Sequence, residues 1–110
     1  MTVSLSGGGC AYGGPTSLKQ GEISVAMNVK DSRAYALTFF TLAPGKDLQD
    51  LIAAQDMPSP PTWAAMFSMR DTVGGENVNY TLSVEDGPVY MLCWRDDAVI
   101  GWQGPLEVVK

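Results

Sequence analysis

The chain has 110 residues, 45% hydrophobic and 17% charged, with a net charge of −5 and no histidine. That is enough chain for one domain, expected over residues 1–110, with its own core, and the composition is too apolar for disorder. The seven basic residues stand singly, which argues against nucleic acid and against an anionic membrane surface, and no apolar run reaches the length of a membrane-spanning helix.

Met1 to Leu5 lacks the basic start and apolar stretch of a signal peptide, so Met1 is read as a start placed after a removed export signal. Val3 to Leu5 reads as a short strand that pairs with one of the terminal strands. The triplet Gly7-Gly8-Gly9 then marks a turn and is not a phosphate loop, because no Lys-Ser/Thr follows it. Glu22 to Lys30 alternates cleanly, with Ile23, Val25, Met27 and Val29 on one face. Asp31-Ser32-Arg33 is a turn. In Ala34 to Leu42, Tyr35, Leu37, Phe39 and Thr41 share a face, and the other face is also largely apolar. That pattern fits a strand covered on both sides. Asp47 to Ala54 reads as a short helix capped by Asp47, with Leu48, Leu51 and Ile52 as its apolar face. Pro58, Pro60 and Pro61 forbid its continuation. Trp63 to Met69 fits either a helical face or an irregular extended arm. Val78 to Val84 alternates again, and Val89 to Arg95 and Leu106 to Val109 complete the strands, leaving Asp96 to Gly104 as a loop. Short strands with frequent turns imply an antiparallel β-sandwich, interrupted by a long connection from Leu42 to Thr72.

Two cysteines, Cys10 and Cys93, stand near opposite ends of the chain. In a small Gly-rich β domain they are better read as one disulfide than as two free thiols. A loop of that length contributes about 4 kcal/mol in the chain-entropy model.

Gly87 and Cys93 are six residues apart, and Gly101-Trp102-Gln103-Gly104 follows. This pattern resembles the C-terminal hairpin of cupredoxins, in which a strand ends in a copper-binding Cys, a loop carries a His and a Met, and a G-M-x-G turn leads into the last strand. The likeness covers Val78 to Val109 and, more loosely, Glu22 to Leu42. It implies an all-β fold, a Greek-key cupredoxin-like β-sandwich with one short helix in a long connection. Carried over, the Cys position falls on Cys93, the loop His near Asp96, the axial Met on Trp102 and the first His near Ala34 or Tyr35. One ligand of four remains, and without imidazoles no blue-copper site can form; no cofactor is expected. The chain is also similar to a group of uncharacterised exported bacterial domains with a cupredoxin-like fold. The likeness rests on Cys10-Ala11-Tyr12-Gly13-Gly14-Pro15, the segment Leu42 to Ile52, Pro61-Thr62-Trp63 and Cys93. That resemblance implies a location outside the cytoplasm: secreted, periplasmic or anchored at the cell surface.

The lack of His excludes Ser-His and Cys-His catalysis, and no nucleophile elbow is present. The expectation is a non-catalytic extracytoplasmic binding or structural module, with a protein partner or surface assembly as the partner class. Its binding residues are expected in and beside the Asp96 to Gly104 loop: Trp94, Asp96, Asp97, Val99, Ile100 and Trp102. Exposed aromatics at the tip of a rigid sandwich anchor partners. One alternative is a small Cu(I)-binding or electron-transfer protein using Cys93, Asp96 and methionines, of which Met66-x-x-Met69 forms a compact pair. Met27 and Met91 are read as core fillers. A second alternative is a Trp-lined ligand-binding module. The acidic pair Asp96-Asp97 reads as solvated loop charge more readily than as a cation site.

Overall fold

The computed structural model describes residues 1–7, 9–14, 17–54, 61–72, 75–85, 87–96 and 98–109. In chain order its elements are β1 (Thr2–Ser6), β2 (Gly9–Gly13), β3 (Ser17–Lys19), β4 (Gly21–Val29), β5 (Tyr35–Leu42), α1 (Leu48–Ala53), β6 (Ala64–Thr72), β7 (Val78–Val84), β8 (Val89–Arg95) and β9 (Ala98–Val109). They form a four-stranded sheet, β2-β1-β4-β7, and a five-stranded sheet, β3-β9-β8-β5-β6. The architecture is all-β and sandwich-like.

The alternating strands meet where their periodicity places them. Val25, Met27 and Val29 of β4, with Leu82 and Val84 of β7, face Tyr35, Leu37 and Phe39 of β5 across one shared core. Val89, Met91 and Cys93 extend that core along β8. Met27 and Met91 are fully buried, so both pack as core fillers. β5 is covered on both faces, as its two apolar sides require. A second cluster lies on its other side, where Leu51 of α1 packs with Tyr90 and Leu92 of β8. Phe40, Leu42, Leu48 and Ile52 flank it.

α1 starts where its cap allows. The Asp50 N–H donates to Asp47 Oδ1 (3.0 Å), and the Asp47 N–H donates to Asp50 Oδ2 (3.1 Å). This reciprocal pair satisfies amides that have no partner inside the helix. Pro61 lies beyond the helix; Pro58 and Pro60 lie outside the described residues.

Four expectations change. Both sheets are mixed, because β1 pairs parallel with β4 and β3 pairs parallel with β9. β1 pairs with neither β8 nor β9 but lies between β2 and β4, and Val3 and Leu5 enter the main core. Trp63 to Met69 is neither a helical face nor an irregular arm: Ala64–Thr72 is a strand, paired antiparallel with β5 over its whole length. Asp96 to Gly104 is not a loop. Arg95 and Ala98 close a hairpin, and β9 runs on from Ala98 to Val109 beside β8. Glycines and a proline hid that strand, and two bulges explain how it tolerates them. Ile100 is the extra residue of one, between the pairs Trp94–Val99 and Cys93–Gly101.

Candidate functional site

Cys10 on β2 and Cys93 on β8 form a disulfide, with their Cα atoms 6.5 Å apart. The bond joins an edge strand of one sheet to an inner strand of the other. Cys93 is paired in register with Gly101, and a Cβ on Gly101 would lie 2.5 Å from Cys10 Sγ. Only glycine lets the bond cross β9 there. Gly104 has φ +148°, and a Cβ on it would lie 2.9 Å from Tyr90 Cδ1. At Gly87 a Cβ would meet the Val108 backbone nitrogen at 2.7 Å. The three glycines of the copper-loop-like pattern are thus accounted for by packing and by the disulfide, without a metal. With Cys93 buried and bonded, its sulfur is not a thiolate. Among the described residues, no three His, Cys, Asp or Glu side chains converge on a point where an ion could sit.

The six expected binding residues divide between surfaces. Trp94 is half-buried; its Nε1 donates to Thr38 Oγ1 (2.9 Å), and its ring packs on the second cluster together with Val99. Ile100, the bulged residue, packs against the main core instead. Asp96 is exposed in the hairpin turn at φ 54°, a conformation that Asp tolerates better than most side chains. Asp97 lies outside the described residues. Trp102 is 48% exposed in mid-strand, directly opposite Leu92.

The pairing of Trp102 with Leu92, of Leu92 with Thr38, and of Thr38 with Met69 makes one row across four strands. Residues paired across antiparallel strands share a face. Met69 is 58% exposed and Met66, paired with Phe40, is 52% exposed. In a regular strand, residues three apart point to opposite sides. Here the register shift between Phe39 and Phe40 leaves Phe67 as an extra residue, which returns Met66 and Met69 to one face. The outer face of the five-stranded sheet therefore carries Trp102, Met66 and Met69 around the patch that α1 and Trp94 cover. The Met pair was visible in the sequence as a spacing, but not its common exposure, which depends on the bulge.

The opposite end of the sheet is polar. Tyr35 OH donates to Asp31 Oδ2 (2.8 Å), and the Arg33 N–H donates to Asp31 Oδ1 (3.0 Å). These two bonds, the backbone one foremost, hold the Asp31 carboxyl below its ordinary pKa. Arg95 Nη1 donates to the Gly7 carbonyl (2.7 Å) and ties β8 to the first turn. Elsewhere the Lys46 ammonium lies 5.0 Å over the Trp63 ring, and the Arg70 guanidinium 5.9 Å over Tyr80. These contacts tie turns and strands of the fold together.

Compared with protein-family models, with curated proteins and with solved structures, the chain matches none. No helix of the described residues is long and apolar enough to cross a membrane.

Proposed function

We propose that the protein is a non-catalytic, extracytoplasmic binding or structural module, built on a Greek-key cupredoxin-like scaffold that holds no blue-copper site. The observation that carries this reading is the outer sheet face. A Trp and two Met side chains stand exposed there on strands of one sheet. Aromatic and Met side chains on a rigid surface are the usual anchors of protein recognition. The extracytoplasmic location is supported by the Cys10–Cys93 bond, since disulfides persist in oxidising compartments. The non-catalytic reading is supported by the lack of histidine in the whole chain. A Cu(I) or electron-transfer reading is less favoured, because the disulfide takes its thiolate and leaves only thioethers on the face.

The test places a photo-crosslinking side chain at position 102 in the producing cell, with position 24, on the other sheet, as control. A discrete adduct in the extracytoplasmic fraction is expected at 102 and not at 24. Purified with the partner so identified, Trp102→Ala should bind about 2 kcal/mol more weakly at unchanged melting temperature, as a hot-spot residue does. A variant that melts early and yields no adduct would make Trp102 a packing residue and overturn the reading.

A further inference from the structure

A second concave surface lies away from that face. Where the end of β5 and the first half of β6 meet the last residues of β7 and the start of β8, a cleft of about 480 Å³ opens. That volume lies within the range of small-molecule sites. Leu42, Phe67 and Pro88 form its apolar wall, and Thr41, Ser83 and Glu85 supply its polar atoms. Two features shape it. Phe67 is the bulged residue of β6, 39% exposed, and its ring is held against Phe39 at 6.3 Å and 45°. Gly87 lies close against Val108, with no room for a side chain between them, so the Gly87-Pro88 wall abuts β9.

The charge balance selects the ligand. Glu85 is the one charged side chain among the described lining residues. Glu85 is exposed at the rim of the cleft, and a carboxylate placed beside an open aromatic face favours a cation whose body is apolar: the carboxylate accepts its N–H bonds, and the ring adds cation–π attraction. The net charge of −5 repels anions further. We propose that this cleft binds a small organic amine with an apolar or aromatic body, with Glu85 as its ion-pair partner and Phe67 as its stacking surface. This site is independent of the outer-face reading and can fail or hold without it.

Phenethylamine is the probe, with 2-phenylethanol as its near-isosteric neutral counterpart and phenylacetate as the anion. Amide shifts of the disulfide-bonded protein are followed in each titration. Saturable shifts should centre on Thr41, Phe67 and Glu85 with phenethylamine, be weaker with the alcohol and be absent with phenylacetate. Glu85→Gln should weaken phenethylamine about threefold, the worth of an exposed ion pair, and Phe67→Leu about threefold. Unchanged shifts in β1 and β4 show that each variant is folded. Equal binding of amine and alcohol, shifts centred elsewhere, or a linear response to the solubility limit of the probe would each overturn the proposal.

Discussion

Gly101 illustrates how one missing methyl group decides two strands at once. Its hydrogen leaves the space through which Cys10 reaches Cys93, and an added Cβ would stand 2.5 Å from the Cys10 sulfur. Gly101→Ala should therefore destabilise the oxidised protein by roughly 1–3 kcal/mol, the usual cost of overpacking. In the background Cys10→Ala/Cys93→Ala the large sulfur is gone, and the penalty should fall to a fraction of that. Urea midpoints of the four proteins give the coupling directly. A penalty equal in both backgrounds would mean that Gly101 serves the β9 bulge and not the disulfide. The tyrosines are the other residue-scale case. Burial pushes the Tyr80 phenol up to about 12, with the Arg70 charge opposing, and its buried hydroxyl has no hydrogen-bond partner among the described residues. Tyr12, Tyr35 and Tyr90 are raised as well, with burial the main cause. In the unfolded chain a phenol ionises near pH 10. The folded state thus holds protons that the unfolded state has lost. The stability these groups contribute is complete below about pH 10 and is lost as pH rises toward 12. Urea midpoints should decline across that window while the phenolate absorbance of the native protein lags behind that of the denatured one. Phenols that titrate together near pH 10 in the native protein, with a flat midpoint, would refute the burial argument.

Among elements, α1 has its own testable dependence. It is only Leu48–Ala53, too short to persist without its cap and its packing. Asp47→Ala removes the acceptor for the Asp50 amide and should cost about 1 kcal/mol, whereas Asp47→Asn should retain most of the stability. Equal stability of the Ala variant in chemical denaturation would show that Leu51 alone holds the helix down. α1 was legible in the sequence because its signals are local: a cap, an apolar face and prolines beyond. β4, β5 and β7 were legible because their period of two is clean. β6 was not. Ala64-Ala65-Met66-Phe67-Ser68-Met69 alternates poorly because a bulge interrupts it, and four of its six residues are exposed on an edge strand. β9 was missed for a related reason: two glycines and Pro105 punctuate Gly101 to Leu106 as a loop would, and only pairing with β8 keeps the segment extended. The candidate site suffered most from this. Its residues were chosen as a loop tip, and a strand sorts neighbours to opposite faces, so Val99 and Ile100 part company while Met66 and Met69, distant in sequence from Trp102, join it.

At the scale of the whole molecule, the parallel pairings were the least accessible information. The sequence shows that Val3 and Leu5 alternate, but their alignment with Met27 and Val29 depends on a crossing between sheets that no local signal encodes. The same crossing places Cys10 beneath Gly101, so two long-range facts, one pairing and one covalent bond, arise from one arrangement. The bond also divides the chain as a mechanical object. If the protein is held by handles at Met1 and Lys110, the residues between 10 and 93 lie behind a covalent shortcut and bear no load after unfolding. At about 3.5 Å per residue, only the first ten and last eighteen residues can lengthen. The oxidised protein should thus extend by roughly a quarter of the contour that the reduced one releases. Under tension, a thiol reductant and not the folded structure sets the reach of this chain: a short tether with a long one stored inside it.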